Sequence, residues 1–227
     1  MLRLPPTAQN VRGLPLVAYR KSRFHDEKGN RVDFGGLLYV PHALVTAIFR
    51  KLFGCRMHQP MLSFRAIKVI DKLLQPDFNC VEFGSGMSTA WFADRCGFLL
   101  SVENDKDWCR LVDDMIADKG CTHVRHELRT PDEFANLDNY DDSFFDFALI
   151  DGWDRVGCVQ SVIPKIKPGG WVYLDNSDKD MTRPDGDLRQ AEAALLDAVR
   201  QRGGTTRYFV DFAAGNLFAE QGLLVRL

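Results

Sequence analysis

The chain has 227 residues, a formal net charge of −2 and 45% hydrophobic residues. That length suits one α/β domain with a short extension, and the composition is that of a globular protein with a real core. The charge balance lacks the basic signature of a binder of nucleic acid or anionic membrane, so neither partner is expected. Six cysteines (55, 80, 96, 109, 121 and 158) are widely spaced, with no C-x-x-C pair. That spacing argues against a zinc site and against a disulfide framework, and the cysteines read as small core residues in a reducing cytosol. No apolar run approaches a membrane span and the first residues show no leader-type apolar region, so the expected location is cytoplasmic.

Residues 1–33 read as an irregular arm, with Pro5, Pro6 and Pro15 and seven Lys or Arg against three acids. Two readings stay open. The arm is either a solvated segment or a flap over a substrate mouth, with Tyr19, Arg20, Lys21, Arg23 and His25 available to hold a substrate. Residues 34–75 read as a helical lid or cover. Leu44, Val45, Ile48 and Leu52 recur at helical spacing before Gly54, and a second helix runs from about Pro60 to Leu74 until Pro76-Asp77 breaks it. His42 and His58 fall in this part and are read as structural.

From residue 76 to 227 apolar runs alternate with helical patterns. Strands are expected at 79–83, 98–103, 122–128, 145–151, 171–175, 207–212 and 223–227. Helices are expected near 88–95, 106–118, 155–166 and 187–202. This pattern predicts a doubly wound α/β domain, a mostly parallel sheet with helices on both faces and a closing hairpin. The first strand leads into Val81-Glu82-Phe83-Gly84-Ser85-Gly86-Met87-Ser88-Thr89. Two glycines there allow a sharp turn and close approach of a ligand to the backbone, and Ser88 or Thr89 is placed to cap the next helix. The start of that helix offers unpaired N–H groups to an anionic group. A dinucleotide fingerprint needs a third glycine where Thr89 stands, and Glu82 would repel a pyrophosphate. Glu82 suits a ligand carrying an ammonium group instead. Glu103, at the end of the second strand, is placed to bind the two hydroxyls of a ribose.

Glu82-Phe83-Gly84-Ser85-Gly86 and Ser101-Val102-Glu103-Asn104-Asp105 resemble the E/D-x-G-x-G loop and the following acid of class I S-adenosylmethionine-dependent methyltransferases. The resemblance runs from about residue 60 to the C-terminus. It implies a Rossmann-like sheet of seven strands in the order 3-2-1-4-5-7-6, the last strand antiparallel. It also implies that S-adenosylmethionine is bound by Glu82, Phe83, Gly84, Ser85, Gly86, Ser88, Glu103, Asn104, Asp151, Gly152 and Trp153.

The fourth strand ends at Asp151-Gly152-Trp153-Asp154, and Pro168-Gly169-Gly170 turns into a fifth that ends at Asp175-Asn176. Asp151, Asp175 and Asn176 thus supply three hard oxygen ligands at neighbouring strand ends, a set that suits Mg²⁺. This looks like the metal-dependent O-methyltransferases of the catechol and antibiotic-sugar types. Those of the catechol type carry a lysine base three residues after the first metal acid, where this chain has Asp154. The catalytic candidates are therefore Asp151 and Asp154. Methyl transfer to a small-molecule acceptor is the expected activity, at a hydroxyl oxygen of a sugar, polyol or natural product. A nicotinamide-dependent oxidoreductase and a non-catalytic cofactor-binding module are the alternatives. The oligomeric state is left open, a homodimer among the options.

Overall fold

The computed structural model describes residues 20–54 and 59–227. Its centre is a seven-stranded sheet in the order β3-β2-β1-β4-β5-β7-β6, which is the predicted order. The strands are β1 (Asn79–Phe83), β2 (Phe98–Glu103), β3 (Val124–Leu128), β4 (Phe145–Ile150), β5 (Ile166–Leu174), β6 (Thr205–Asp211) and β7 (Glu220–Arg226). β7 pairs antiparallel with both β5 and β6, and the other pairings are parallel. The central strands are continuous apolar runs because both sheet faces are covered. On one face Val81, Phe83, Leu100, Val102 and Ile150 pack against Val159 and Leu195. On the other, Cys80, Leu99, Phe147 and Tyr173 pack against Ile70 and Phe92.

The helices are α1 (Phe34–Leu37), α2 (Val40–Phe53), α3 (Phe64–Leu73), α4 (Met87–Ala93), α5 (Lys106–Lys119), α6 (Arg155–Lys165) and α7 (Asp187–Arg202). α4 begins at Met87, one residue earlier than expected. Its N-cap is Gly86, not Ser88 or Thr89. Thr89 lies inside the first turn, where its hydroxyl accepts from Gly86 N–H at 2.9 Å. α2 also departs from the pattern. Leu44, Val45, Ile48 and Leu52 are exposed, and the helix buries Ala43 and Thr46 instead. Small residues on that side let the helix backbone approach the Phe212–Ala219 segment, with Gly215 N–H donating to Thr46 Oγ1 at 2.9 Å.

Residues 20–33 hold only an isolated bridge between His25 and Arg31, yet they pack on the domain. Val32 and Asp26 are buried. Glu27 N–H donates to Asp178 Oδ2 at 2.9 Å, and Lys28 Nζ reaches Gln221 Oε1 at 2.8 Å. α3 is held to β6 by Arg65, which bonds Asp211 Oδ2 at 3.1 Å and Asp33 Oδ2 at 2.7 Å. Tyr19, Cys55 and His58 lie outside the described residues. No helix among the described residues is long and apolar enough to cross a membrane.

Candidate active site

A cavity of about 520 Å³ opens above the carboxyl ends of β1, β2, β4 and β5, the place where an open α/β sheet holds its ligands. Its floor is the loop after β1. Gly84 sits at φ +96°, and a Cβ there would lie 2.8 Å from Gly152 Cα. Two strand-end loops thus touch through bare backbone, which leaves the space above them free for a ligand. Asp151 N–H donates to Phe83 O at 2.9 Å and Gly84 N–H to Val102 O at 2.9 Å, so the sheet ladder sets the loop rigidly. Trp108 on α5 closes one wall, its Nε1 donating to Ser85 O at 2.7 Å.

Glu103 lines this cavity. One carboxylate oxygen accepts from the backbone N–H of Asn104 at 2.8 Å and of Asp105 at 2.9 Å. The other accepts from Ser85 Oγ at 3.2 Å. The side chain is therefore fixed with its outer oxygen beside the glycine loop. Gly86, Ser88, Asn104, Gly152 and Trp153 line the same cavity.

Glu82 is placed differently from Glu103. It is fully buried beneath the loop and is not among the lining residues. Oε2 accepts from Thr89 Oγ1 at 2.6 Å and Ser101 Oγ at 2.7 Å. Oε1 is buried with no hydrogen-bond partner. Burial pushes its pKa up to about 7, against the opposing pull of the Ser88, Thr89 and Ser101 hydroxyls. Of these, only Thr89 and Ser101 meet hydrogen-bond geometry. Phe83 is also buried and packs on Phe134, with ring centroids 6.1 Å apart.

A raised carboxylate pKa means that the folded state holds the proton more tightly than the unfolded chain does. Glu82 then destabilises the fold as pH rises from the unfolded value near 4.5 to about 7. At about 1.4 kcal/mol per unit, this is worth on the order of 3 kcal/mol. Glu82→Gln should remove that pH dependence. Urea midpoints at pH 5 and pH 8 should converge in the variant relative to wild type. Parallel pH profiles for the two proteins would show that the buried carboxyl carries no such cost.

Across the cavity stand three acids. Asp151, Asp175 and Glu220 all line it. Asp151 Oδ1 accepts from Arg155 Nη2 at 2.9 Å, and Tyr173 Oη donates to Asp175 Oδ1 at 3.4 Å. Burial raises the pKa of both aspartates. Arg155 opposes the shift at Asp151, whereas the Asp151 and Glu220 charges add to it at Asp175. Like charges in one low-dielectric site cannot both ionise freely. The Arg155 guanidinium lies against Asp151, so burial pushes Asp175 up further than Asp151. Glu220 is also raised by burial, with Lys179 Nζ at 3.5 Å pulling the other way.

This arrangement changes what can be asked of the metal candidates. Asp151, Asp175 and Asn176 do meet at the cavity wall. One Asp151 oxygen is taken by Arg155, which also donates to Asp175 O. A guanidinium that already holds one Asp151 oxygen and the Asp175 carbonyl is a poor setting for a hard divalent cation, and the donor set does not fit Mg²⁺ as it stands. Asp154 is the N-cap of α6 at φ 42°, with its carboxylate accepting from Gly157 N–H at 3.1 Å. It does not line the cavity, because the helix start has taken it.

Met61, Trp108, Arg155, Asn216 and Glu220 were not legible as site residues. Asn216 and Glu220 arrive from the segment that closes the β6–β7 hairpin, more than a hundred residues from Gly84, with no local motif to mark them. Arg20, Lys21, Arg23, His25 and His42 do not line the cavity.

No family model matches the chain, and no curated protein matches it. Solved structures do. A proposed O-methyltransferase from Klebsiella pneumoniae is 17% identical, covers 83% of this chain and 89% of its own, and superposes with a TM-score of 0.57. An rRNA methylase from Streptococcus thermophilus is 16% identical over 70% of this chain and 91% of its own, with a TM-score of 0.52. A proposed methyltransferase from Streptococcus mutans in complex with SAH is 9% identical over 70% of this chain and 94% of its own, with a TM-score of 0.52. Together with the strand order and the glycine loop, these likenesses give the chain the fold of the class I S-adenosylmethionine-dependent methyltransferases.

Proposed function

We propose that this chain is an S-adenosylmethionine-dependent methyltransferase that acts on a hydroxyl oxygen of a small molecule such as a sugar, polyol or natural product. The observation that carries the reading is the cavity over the strand ends, with the bare Gly84–Gly152 contact as its floor and the fixed Glu103 carboxylate on its wall. When bound, S-adenosylmethionine supplies an activated methyl group. Glu103 holds the ribose hydroxyls, Gly84–Gly86 let the backbone approach, and Trp108 and Trp153 flank the ligand. The segment at 34–75 acts as a cover, a role supported by Met61 and Leu62, just before α3, at the cavity wall.

The chain's catalytic task is then to position the acceptor and take one proton. Asp151 is the base, through the oxygen that Arg155 leaves free. The Arg155 guanidinium, 2.9 Å from Asp151, favours its charged form. Acidic side chains on the cavity wall, Asp151 and Glu103 among them, disfavour a phosphate-rich acceptor, which supports a small molecule over nucleic acid. The test is transfer of a labelled methyl group from S-adenosylmethionine to a panel of polyols, glycosides and phenols, with RNA as the competing class. Label that appears only in RNA would overturn the acceptor reading. Because no step here needs a cation, excess chelator should change turnover by less than about twofold, a change under ~0.5 kcal/mol in barrier. Loss of turnover that Mg²⁺ restores would return Asp151, Asp175 and Asn176 to a metal site.

A further inference from the structure

Away from the cavity, α5 and β3 bring together a second set of chemically reactive side chains. Cys109 and Asp113 stand one turn apart on α5, so both project from the same helix face. His126 on β3 pairs in register with Ser101 of the neighbouring strand and meets them. Cys109 Sγ lies 3.9 Å from Asp113 Oδ2 and 3.9 Å from each ring nitrogen of His126. Asp113 Oδ1 lies 2.7 Å from His126 Nδ1. One donor atom from each residue falls within 4.8 Å of the others, the one such group of three among the described residues. Cys109 is 5% exposed and the His126 side chain 4%, while the Asp113 side chain is 56% exposed. The thiol and imidazole are thus shielded and the carboxylate faces water.

We propose that Cys109, Asp113 and His126 form a binding site for a borderline-soft divalent cation, with zinc the best match, in which water completes the coordination. Sulfur and imidazole donors select such an ion over Mg²⁺ or Ca²⁺. Tetrahedral zinc, with bonds of about 2.3 Å to sulfur and 2.0–2.2 Å to nitrogen and oxygen, holds sulfur and nitrogen ~3.5 Å apart. Because Sγ is equidistant from both ring nitrogens it lies off either lone-pair axis, so binding needs the Cys109 and His126 side chains to turn and the His126–Asp113 hydrogen bond to open. On binding, the Cys109 thiol gives its proton to solvent and the thiolate sulfur donates to the metal. Wide cysteine spacing argued against zinc in the sequence. The Cys-x-x-x-Asp step on a helix, with a histidine supplied by the next strand, is the spacing that such an argument passes over.

The test uses the full chain, stripped with chelator and titrated with Co²⁺ as a spectroscopic stand-in. The expected result is one Co²⁺ per chain with thiolate-to-metal charge-transfer absorption, displaced by Zn²⁺. Cys109→Ser should abolish the band, and Cys121→Ser should leave it intact. Asp113→Ala, at an exposed position that tolerates substitution, should weaken binding by more than about tenfold, since even outer-shell partners cost 10–100-fold. Far-UV circular dichroism separates lost binding from lost folding. Absence of a charge-transfer band in the stripped wild type, or a band and affinity unchanged in Asp113→Ala, would overturn the proposal.

Discussion

Asp151→Asn is expected to lower kcat by about 10²- to 10⁴-fold, the usual contribution of a positioned general base. The substitution keeps the shape of the side chain and an oxygen for Arg155 Nη2, which Asp151 holds at 2.9 Å. It removes the basic oxygen. Cofactor affinity should change by less than about tenfold, because the glycine loop and Glu103 are untouched. The wild-type kcat should also fall on the acid side. Burial raises the Asp151 pKa, so its carboxylate gains a proton at a higher pH than an exposed aspartate would. The base works only when ionised, and activity is therefore present above that pKa and lost as pH falls through it. Asp154→Asn is the internal control. Its carboxylate caps α6, so it should cost about 1 kcal/mol of stability or less and leave the acid limb in place. If Asp151→Asn kept most of its turnover, the base would have to be sought elsewhere, with Glu220 the next acid on the wall.

The second large effect belongs to Glu103. Glu103→Ala should weaken S-adenosylhomocysteine binding at least tenfold, because charge-assisted hydrogen bonds are worth about 1.5–3 kcal/mol and a decade of affinity about 1.4. Glu103 also accepts from Asn104 and Asp105 N–H, so alanine disturbs the turn into α5 as well as the ligand. Glu103→Gln separates the two roles. An amide oxygen still serves those N–H groups, while the negative charge is gone. Binding in Glu103→Gln that falls between alanine and wild type, with an unchanged melting temperature, assigns the loss to ligand contact. Equal affinity in all three proteins would remove Glu103 from the site.

The sheet was legible because its strands are continuous apolar runs separated by helical periods, and each strand end carries its own local mark. Gly84 and Gly86, Glu103, Asp151 and Asp175-Asn176 all lie within a few residues of a strand's carboxyl end, so parallel topology gathers them on one side. Sequence reasoning failed where long-range contacts or a local competitor decided the outcome. Asp154 looked like a spare acid beside Asp151, yet a helix start needs a cap and the carboxylate went there. Glu82 was expected to face the ligand. The Thr89 and Ser101 hydroxyls turn it under the loop instead, with one oxygen unpartnered. α2 showed the spacing of a buried stripe, but packing selected its small side, Ala43 and Thr46, and left the large residues outward. Arg155 had no signal of its own, being one of many arginines at a helix start. It is nevertheless the residue that holds one Asp151 oxygen and so keeps it from a cation.

The central claim is that the cavity above Gly84 and Glu103 binds S-adenosylmethionine. Calorimetric titration of the purified chain with S-adenosylhomocysteine, and in parallel with NADH, tests it most directly. The predicted result is saturable binding of one S-adenosylhomocysteine per chain, lost or weakened at least about tenfold in Glu103→Ala, with no heat of binding from NADH. Saturable binding of NADH with none for S-adenosylhomocysteine would contradict it.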